Sequence, residues 1–315
     1  MKYPINKEFG IFAHVASPIK NPKIAGFVGS MMRAPGRIFR DREIEVDRRL
    51  VKSYDGAEIE VLVMGERARK LDTLPALVYF HGGGFFFGAA ASHYNAAKAY
   101  ALGAGLRVVF VQYRLSPKHK FPIPPEDCYA AYLWTLENAA LLGIDGERVA
   151  VGGDSAGGAL AAAVTLMARD RGVRTPYFQL LIYPVTDRSM NTESNRKYTD
   201  TPMWNSTLSK GMWQGYAPIV DEESLGYASP LEASDHSSLP DAYVELAEFD
   251  CLHDEGLIYA KKLRAAGSEV VVNEIKGTMH GFDVVEKAPT SKAAIRSRIE
   301  YMKKKFVNIS GSGML

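Results

Sequence analysis

The distribution of apolar residues along the chain predicts alternating strands and helices. Residues 43–52 and 58–64 alternate between apolar and polar positions, and the sequence Ser-Tyr-Asp-Gly lies between them at 53–56. An Asp-Gly pair between two alternating runs is typical of a β-hairpin. The next runs, at 74–80 and 107–113, are almost continuously apolar, as expected of parallel strands covered on both faces.

The rest of the chain continues this alternation. Shorter apolar runs predict four further strands, at 148–151, 178–183, 242–247 and 269–275. Helical composition and spacing occur at 96–104, 125–142, 156–171, 254–266 and 289–307. Strands that alternate with helices form a mainly parallel sheet with helices on both faces. The predicted fold class is therefore α/β, with eight strands and the antiparallel hairpin at one edge.

Three segments fall outside this alternation. Between residues 187 and 229 no strand pattern occurs, and a connection of this length predicts a functional insertion or lid rather than a plain loop. The alternative is a helix that packs for stability only. Loosely helical spacing at 23–39 predicts two short helices, and residues 310–315 have the composition of a flexible tail.

The candidate chemistry centres on Ser155. Residues 153–157 read Gly-Asp-Ser-Ala-Gly, after a short apolar run and before an alanine-rich segment that favours a helix. A strand, a tight turn and a helix form the context that the G-x-S-x-G nucleophile motif requires. A serine hydroxyl is a weak nucleophile, so it needs an adjacent base that a third group orients.

The base and its orienting acid are sought beyond the ends of later strands. His280 follows the predicted strand 269–275, at the edge where open α/β sheets place their functional groups. Asp250 follows the strand 242–247 and fits the chain order serine, acid, histidine. Asp254 and Glu255 remain alternative acids, although the N-terminal helix dipole already accounts for carboxylates there.

A glycine-rich loop supplies the predicted oxyanion hole. Residues 81–85 read His-Gly-Gly-Gly-Phe directly after a core strand, and such a loop provides half of the hole in this architecture. The backbone amides of Gly83, Gly84 and Ala156 are the predicted donors to the developing negative charge. His81 is expected to brace the loop, and Asp154 is assigned a structural hydrogen-bonding role.

Composition narrows the functional classes. The 315 residues are 47% hydrophobic and 23% charged, with a net charge of +2, which is ordinary for a globular enzyme and gives no case for nucleic-acid binding. Two cysteines, Cys128 and Cys251, suggest no disulfide framework and predict a reducing, cytoplasmic location. No apolar run reaches about 18 residues, so no membrane anchoring is expected. No cluster has metal-ligand spacing, and no cofactor is predicted.

Taken together, the motifs resemble those of the hormone-sensitive-lipase-like (bacterial family IV) carboxylesterases of the α/β-hydrolase superfamily. The similar stretches are 81–85, 113–117, 121–122, 126–127, 153–158, 250–256 and 280–282. The resemblance spans residues 50–305 and implies an α/β-hydrolase fold with a helical cap and a Ser155–His280–Asp250 triad. Two departures are visible: Cys251 replaces the proline that usually follows the triad aspartate, and Ala159 stands where asparagine is common.

The resemblance also implies a division of the chain. The expected parts are an N-terminal part of the cap at 1–42, a first part of the core at 43–187, a cap insertion at 188–228, a second part of the core at 229–309 and the tail at 310–315. Aromatic side chains are predicted to line an apolar pocket for short to medium acyl chains; they are Phe85, Phe86, Phe87, Trp204, Trp213 and Tyr216.

The predicted function is that of a serine carboxylesterase acting on a small-molecule ester. One alternative is a non-catalytic small-molecule receptor on the same scaffold, since a fold does not fix a function. The presence of His280 weighs against it, because the plant gibberellin receptors resemble this family but lack that histidine. A second alternative is an amidase or deacetylase that uses the same residues. A homodimer is compatible with the sequence, which does not decide the oligomeric state.

Overall fold

A computed structural model describes residues 2–14 and 41–307. The strands are β1 (Ile44–Lys52), β2 (Glu58–Glu66), β3 (Leu74–Phe80), β4 (Arg107–Gln112), β5 (Ile144–Asp154), β6 (Gln179–Ile182), β7 (Ala242–Phe249) and β8 (Val270–Met279). The α-helices in the described part are α1 (Ala91–Ala104), α2 (Ile123–Glu137), α3 (Ala156–Asp170), α4 (Glu193–Lys197), α5 (Ser206–Tyr216), α6 (Leu225–Ala228), α7 (His253–Ala265) and α8 (Pro289–Val307).

Short 3-10 turns complete the secondary structure of the described residues. They lie at Lys7–Ala13, Arg67–Arg69, Pro230–Glu232 and Phe282–Val284. The two helices predicted within 23–39 and the tail at 310–315 lie outside the described residues. Within the two described ranges, no helix has both the length and the apolar character needed to cross a bilayer.

All eight strands form one sheet, in the order β1-β2-β4-β3-β5-β6-β7-β8. The pairs β1/β2 and β2/β4 are antiparallel, and the remaining neighbours are parallel. The predicted α/β class, with eight strands and an antiparallel hairpin at one edge, is therefore confirmed. Gly56 occupies the hairpin turn with φ +79°, a backbone angle that favours glycine.

Each face of the sheet is covered by helices. Along β2, Val61 and Val63 belong to the apolar cluster on one face, and Leu62 and Met64 belong to the cluster on the other. Helices α2, α3 and α7 pack on the first face, while α1 and α8 pack together on the second. Burying one aliphatic side chain of this size contributes roughly 1.5–3 kcal/mol, so the two layers hold the sheet from both sides.

Several boundaries differ from the pattern-based expectation: α2 ends at Glu137 rather than at 142, and β8 ends at Met279 rather than at 275. Two further differences, both extensions at the start of an element, have identifiable causes. Helix α1 begins at Ala91 rather than at 96, because the Nδ1 atom of His93 accepts the Ala90 N–H at 2.8 Å and stabilises the first turn. Strand β5 begins at Ile144 rather than at 148, since Ile144 pairs with Leu74 before an irregularity in the β3/β5 register. Both extensions depend on contacts that hydrophobic periodicity does not report.

Residues 188–228, all of which the structure describes, contain helices α4, α5 and α6 and no strand. The predicted absence of strands in this stretch is confirmed. Its helices are not a detached layer, since Met212, Trp213 and Tyr216 of α5 belong to the buried core. We call residues 188–228 the insertion.

The start of α3 packs very closely against the end of β3. A Cβ atom on Gly157 would lie 1.9 Å from the carbonyl oxygen of Phe80, far inside van der Waals contact. The obstacle is backbone, which cannot move aside as a flexible side chain can. A glycine is therefore required where the helix leaves Ser155.

We predict that Gly157→Ala lowers the free energy of unfolding by about 3 kcal/mol or more, because overpacking against fixed backbone is costly. Gly146→Ala is the matched control: the added Cβ would meet its nearest neighbour, the Ala139 side chain, at an ordinary 3.4 Å. The control should change stability by no more than about 0.5 kcal/mol. Urea unfolding of both variants checks this, and equal stabilities would contradict the packing argument.

Candidate active site

The turn between β5 and α3 presents Ser155 in a strained backbone conformation. Its backbone angles φ and ψ are +55° and −119°, a combination that residues other than glycine rarely adopt. Two backbone hydrogen bonds hold it there: Ser155 N–H donates to Ile182 O at 2.8 Å, and Val185 N–H donates to Ser155 O at 3.2 Å. In this conformation Ser155 lies at the wall of a cavity.

His280 and Asp250 are brought together by the pairing of β7 with β8. Phe249 lies opposite Met279 in that register, so the residues that follow each strand are neighbours. Asp250 Oδ2 lies 2.6 Å from His280 Nδ1, and His280 Nε2 lies 2.9 Å from Ser155 Oγ. An ionised carboxylate only accepts, so Nδ1 donates to it and Nε2 is left to accept the serine proton. All three side chains are buried.

The two alternative acids face elsewhere. Asp254 Oδ2 accepts the Ser194 N–H at 2.8 Å, and Glu255 Oε1 accepts the Thr186 N–H at 2.6 Å. Both side chains therefore accept hydrogen bonds from backbone N–H groups at or near the start of the insertion. Asp250 is the carboxylate that contacts His280.

The glycine-rich loop leaves its amides pointing into the site. Gly83 and Gly84 have φ of +116° and +58°, and they line the same cavity as Ser155. Within the described residues, the N–H groups of Gly83, Gly84 and Ala156 have no hydrogen-bond acceptor. A Cβ on Gly84 would lie 2.7 Å from the Trp204 ring, which fixes that position as glycine. Free, preorganised donors of this kind stabilise an oxyanion.

Asp154 lies beneath this loop as a buried anion. Its Oδ1 accepts the Gly82 N–H at 3.0 Å and the Tyr79 hydroxyl at 2.6 Å, and its Oδ2 lies 3.2 Å from Nε2 of His93. Burial acts to raise the pKa of this carboxyl, but the interactions with His93 and Tyr79 outweigh it and hold the pKa well below its usual range. Asp154 thus holds the loop that carries Gly83.

His81 contacts the glycine-rich loop and the strand next to it, as expected of a residue that stabilises the loop. Its Nδ1 lies 2.7 Å from Gly82 O, and its ring stacks on Tyr113 with 4.5 Å between centroids. The Tyr113 hydroxyl donates to His81 O at 2.7 Å. The ring is buried and does not line the cavity that contains Ser155, so these contacts hold the loop in place.

A cavity of about 540 Å³ opens at the nucleophile. Ser155, His280, Phe87, Trp204 and Tyr183 are among its lining residues. Its far part runs between α1 and α8. A cavity of this size lies in the usual range for small-molecule sites.

Four of the aromatic residues predicted to line the pocket lie elsewhere; they are Phe85, Phe86, Trp213 and Tyr216. Phe85 and Tyr216 stack with 3.7 Å between ring centroids, and the Phe86 ring packs on Gly215. The expectation is corrected for these four: they join the glycine-rich loop to α5 inside the core. Phe87 and Trp204 do reach the cavity.

The fold and this arrangement place the chain among known proteins. A family model described as the α/β hydrolase fold matches residues 77–284. Carboxylesterase NlhH of Mycobacterium tuberculosis is 38% identical over 244 residues, which cover 76% of each chain. The chain is thus an α/β hydrolase.

Solved structures agree with this relationship. A variant of esterase rPPE in complex with (S)-Ac-CPA has a TM-score of 0.87 and 32% identity, over 96% of this chain and 98% of that one. A bacterial heroin esterase has a TM-score of 0.85 and 31% identity, over 97% and 99% of the two chains. The protein belongs to the hormone-sensitive-lipase-like (bacterial family IV) carboxylesterases.

Sequence reasoning missed three residues of the site. His93 and Tyr79 bind Asp154, and Tyr183 packs against His280. His93 follows no strand and so lacked the positional signal that identified His280. Tyr183 directly follows β6 at the same sheet edge as Ser155, which is the signal that could have drawn attention to it.

We predict that Asp154→Asn lowers the free energy of unfolding by about 1–3 kcal/mol at pH 7, because the amide places a donor against a neighbour that also donates. In the native protein the lowered pKa of Asp154 gives stability that is present above the unfolded pKa, about 3.9, and is lost as the pH falls further. The difference between wild type and variant should therefore be smaller at pH 3 than at pH 5. It should be larger at pH 5 than at pH 7, because, against the effect of burial, Asp154 also raises the pKa of His93, and the stability that a charged His93 contributes is lost as the pH rises.

Urea unfolding at the three pH values measures this difference. Asp47→Asn is the control, because Asp47 pairs with Arg49 on the surface and should contribute less than about 1 kcal/mol. If the loss of unfolding free energy in Asp154→Asn were the same at pH 3 as at pH 5, the assignment of Asp154 as a buried anion would be contradicted.

Proposed function

We propose that this carboxylic ester hydrolase works through an acyl-enzyme formed on Ser155, with His280 as base and Asp250 as its orienting acid. The observation that supports it is the continuous hydrogen-bonded series from Asp250 through His280 to Ser155, opposite three amides that have no acceptor among residues 2–14 and 41–307. A nucleophile, a base and an orienting group within bonding distance are what serine catalysis requires.

In the first step, Ser155 Oγ attacks the ester carbonyl carbon as His280 Nε2 takes its proton. The carbonyl oxygen becomes an anion that the amides of Gly83, Gly84 and Ala156 stabilise. Asp250 stays ionised and stabilises the imidazolium that forms. Collapse of the intermediate breaks the bond to the alkoxy oxygen, and His280 returns the proton to the departing alcohol.

In the second step, water replaces the alcohol. His280 takes a proton from the water as its oxygen attacks the acyl carbon, and the same amides stabilise the second oxyanion. The bond to Ser155 Oγ then breaks and the serine regains a proton from His280. The products are a carboxylic acid and the free enzyme, so no redox partner is required.

The cavity supports short to medium acyl chains as substrates. His93 lies at the nucleophile end of α1, and Ala96 and Ala99 line the cavity further along the same helix. At 1.5 Å per residue, His93 and Ala99 are about 9 Å apart. Beyond them α1 and α8 close together, since a Cβ on Gly103 would lie 2.7 Å from Ile299. We propose that the acyl chain lies in this part of the cavity, between α1 and α8, which ends at the close approach of Gly103 to Ile299.

The insertion is proposed to act as the part of the cap that bounds the substrate. Its residue Trp204 contacts Gly84 of the oxyanion loop and lies 6.2 Å from the His280 ring between centroids. The Trp204 indole N–H donates to Ser209 Oγ at 2.9 Å, which fixes the ring plane. Substrate that reaches Ser155 therefore passes a rigid aromatic wall.

We predict that Ser155→Ala reduces kcat for p-nitrophenyl butyrate by at least about 10⁴-fold, since removing the nucleophile leaves only the oxyanion donors and binding. The variant should also fail to take up a fluorophosphonate label that wild type incorporates, as intact-mass measurement will show. Ser237→Ala, a surface serine bonded to Asp235, is the control and should label like wild type. Turnover and labelling retained in Ser155→Ala would disprove the proposal.

We also predict that Ala99→Phe shifts the substrate preference toward esters with shorter acyl chains. Filling the space between α1 and α8 should lower kcat/KM for octanoate relative to acetate esters by about tenfold or more, since each buried methylene is worth about 0.8 kcal/mol. Ala293→Phe, which adds the same ring at an exposed position of α8 outside the cavity, should leave the ratio unchanged. An unchanged ratio in Ala99→Phe would place the acyl chain elsewhere.

A further inference from the structure

Tyr183 lies between the proposed base and a buried group of charges. Its ring is edge-on to the His280 imidazole, with 4.8 Å between centroids and 63° between planes. Its hydroxyl donates to Asp283 Oδ1 at 2.6 Å. Burial and the Asp283 carboxylate raise the pKa of Tyr183 well above its usual value, so the hydroxyl keeps its proton and remains a donor.

Asp283 is held in turn by Arg298 of α8. Arg298 Nη1 donates to Asp283 Oδ2 at 2.7 Å and to the Tyr100 hydroxyl at 3.1 Å, and the guanidinium also pairs with Glu245 of β7. Arg298 is 1% exposed and Glu245 is fully buried. We call Arg298, Glu245 and Asp283 the Arg298 cluster. Charges buried this completely persist only when paired and hydrogen-bonded, so its geometry is closely fixed.

The backbone of Tyr183 is strained. Its φ is +35°, which is unusual for a bulky residue. The Tyr183 N–H donates to the Glu245 carbonyl at 2.7 Å, so Glu245 holds the backbone of Tyr183 while its carboxylate holds the cluster that binds the Tyr183 hydroxyl. Strain of this kind survives only where the surroundings enforce it, and it concentrates at functional sites.

We propose that Tyr183 is a positioning residue for His280, with its own orientation set by Asp283 and the Arg298 cluster. The inference rests on the proposed triad. The bond from Nδ1 to Asp250 fixes one edge of the imidazole, whereas the Nε2 edge exchanges its partner Ser155 for other groups during the proposed reaction and needs a constraint besides that hydrogen bond. The Tyr183 ring supplies that constraint by direct contact. Trp204, at 6.2 Å between centroids, bounds the imidazole at another point.

The chain between His280 and Asp283 strengthens this coupling. Only Gly281 and Phe282 separate them, and Gly281 adopts a left-handed conformation with φ +67° at the turn. Phe282 is fully buried and packs against Tyr183 with 6.1 Å between centroids. Anchoring Asp283 therefore also anchors the short segment that carries the base.

Tyr183→Phe and Asp283→Asn test this arrangement. The first keeps the ring and removes the hydroxyl, and the second leaves one oxygen that cannot serve both Tyr183 and Arg298. Each should lower kcat by about tenfold, because small misplacements of a catalytic group cost this much or more. KM should stay within about twofold, since the cavity wall is retained. The double variant should be no slower than either single one.

Tyr243→Phe is the matched control. The Tyr243 hydroxyl donates to Glu245 Oε2 at 3.0 Å, so this variant removes a hydroxyl that binds the Arg298 cluster and leaves the surroundings of His280 unchanged. Its stability in urea should fall about as much as that of Tyr183→Phe, while its kcat should equal that of wild type. The rate of fluorophosphonate labelling of Ser155 should follow kcat across the whole set.

Any of three results would overturn the inference. The first two are wild-type kcat and labelling rate in Tyr183→Phe, and an equal loss of kcat in Tyr243→Phe. The third is a multiplicative loss in the double variant, because it would mean that Tyr183 and Asp283 act independently. Failure of the proposed function has a different signature, namely Ser155→Ala retaining activity and label. In that case the triad is wrong and the positioning role is lost with it.

Discussion

The hydrogen bond between Ser155 Oγ and His280 Nε2 joins residues 125 positions apart in the chain. Its 2.9 Å length depends on the parallel sheet, because the carboxyl ends of β5, β7 and β8 must meet at one edge before their following residues can touch. The tight turn at Ser155 brings the hydroxyl to the ring, and the β7/β8 register brings Asp250 behind it. No local feature of either segment would produce this contact alone.

Two buried charge networks keep the two halves of the site in place. Asp154 holds the glycine-rich loop from below, and the Arg298 cluster holds the segment that carries His280. Burying a charge is expensive, and a hydrophobic group of similar size often stabilises a fold as well. What a charge adds is direction: a carboxylate fixes its donors at defined angles. Donors and bases that are already in position need no rearrangement during the reaction. The rigidity of the two networks can therefore favour catalysis.

Much of the fold followed from the sequence because its signals are local. Continuous apolar runs, helical composition and the Asp-Gly turn each report on a few neighbouring residues. The proposed triad, Ser155, Asp250 and His280, followed from motif and chain order. Tyr183, Asp283 and Arg298 did not, because their relationship exists only after β6, the turn behind β8 and α8 have packed. No periodicity marks a tyrosine that will bond to a carboxylate 100 positions away.

The insertion explains why aromatic content was a poor guide to the pocket. Tyr216 stacks on Phe85 of the glycine-rich loop, Ser209 Oγ lies 3.7 Å from Cys251 Sγ beside Asp250, and Trp204 packs on Gly84. The insertion thus contacts both the loop that carries the amides and the loop that carries the acid. Large apolar side chains are needed for such attachment, since each buries 150–250 Å² or so of surface. Most of these aromatic rings attach the insertion to the rest of the core rather than line the cavity. Trp204 does both, because it packs on Gly84 and also lines the cavity that contains Ser155.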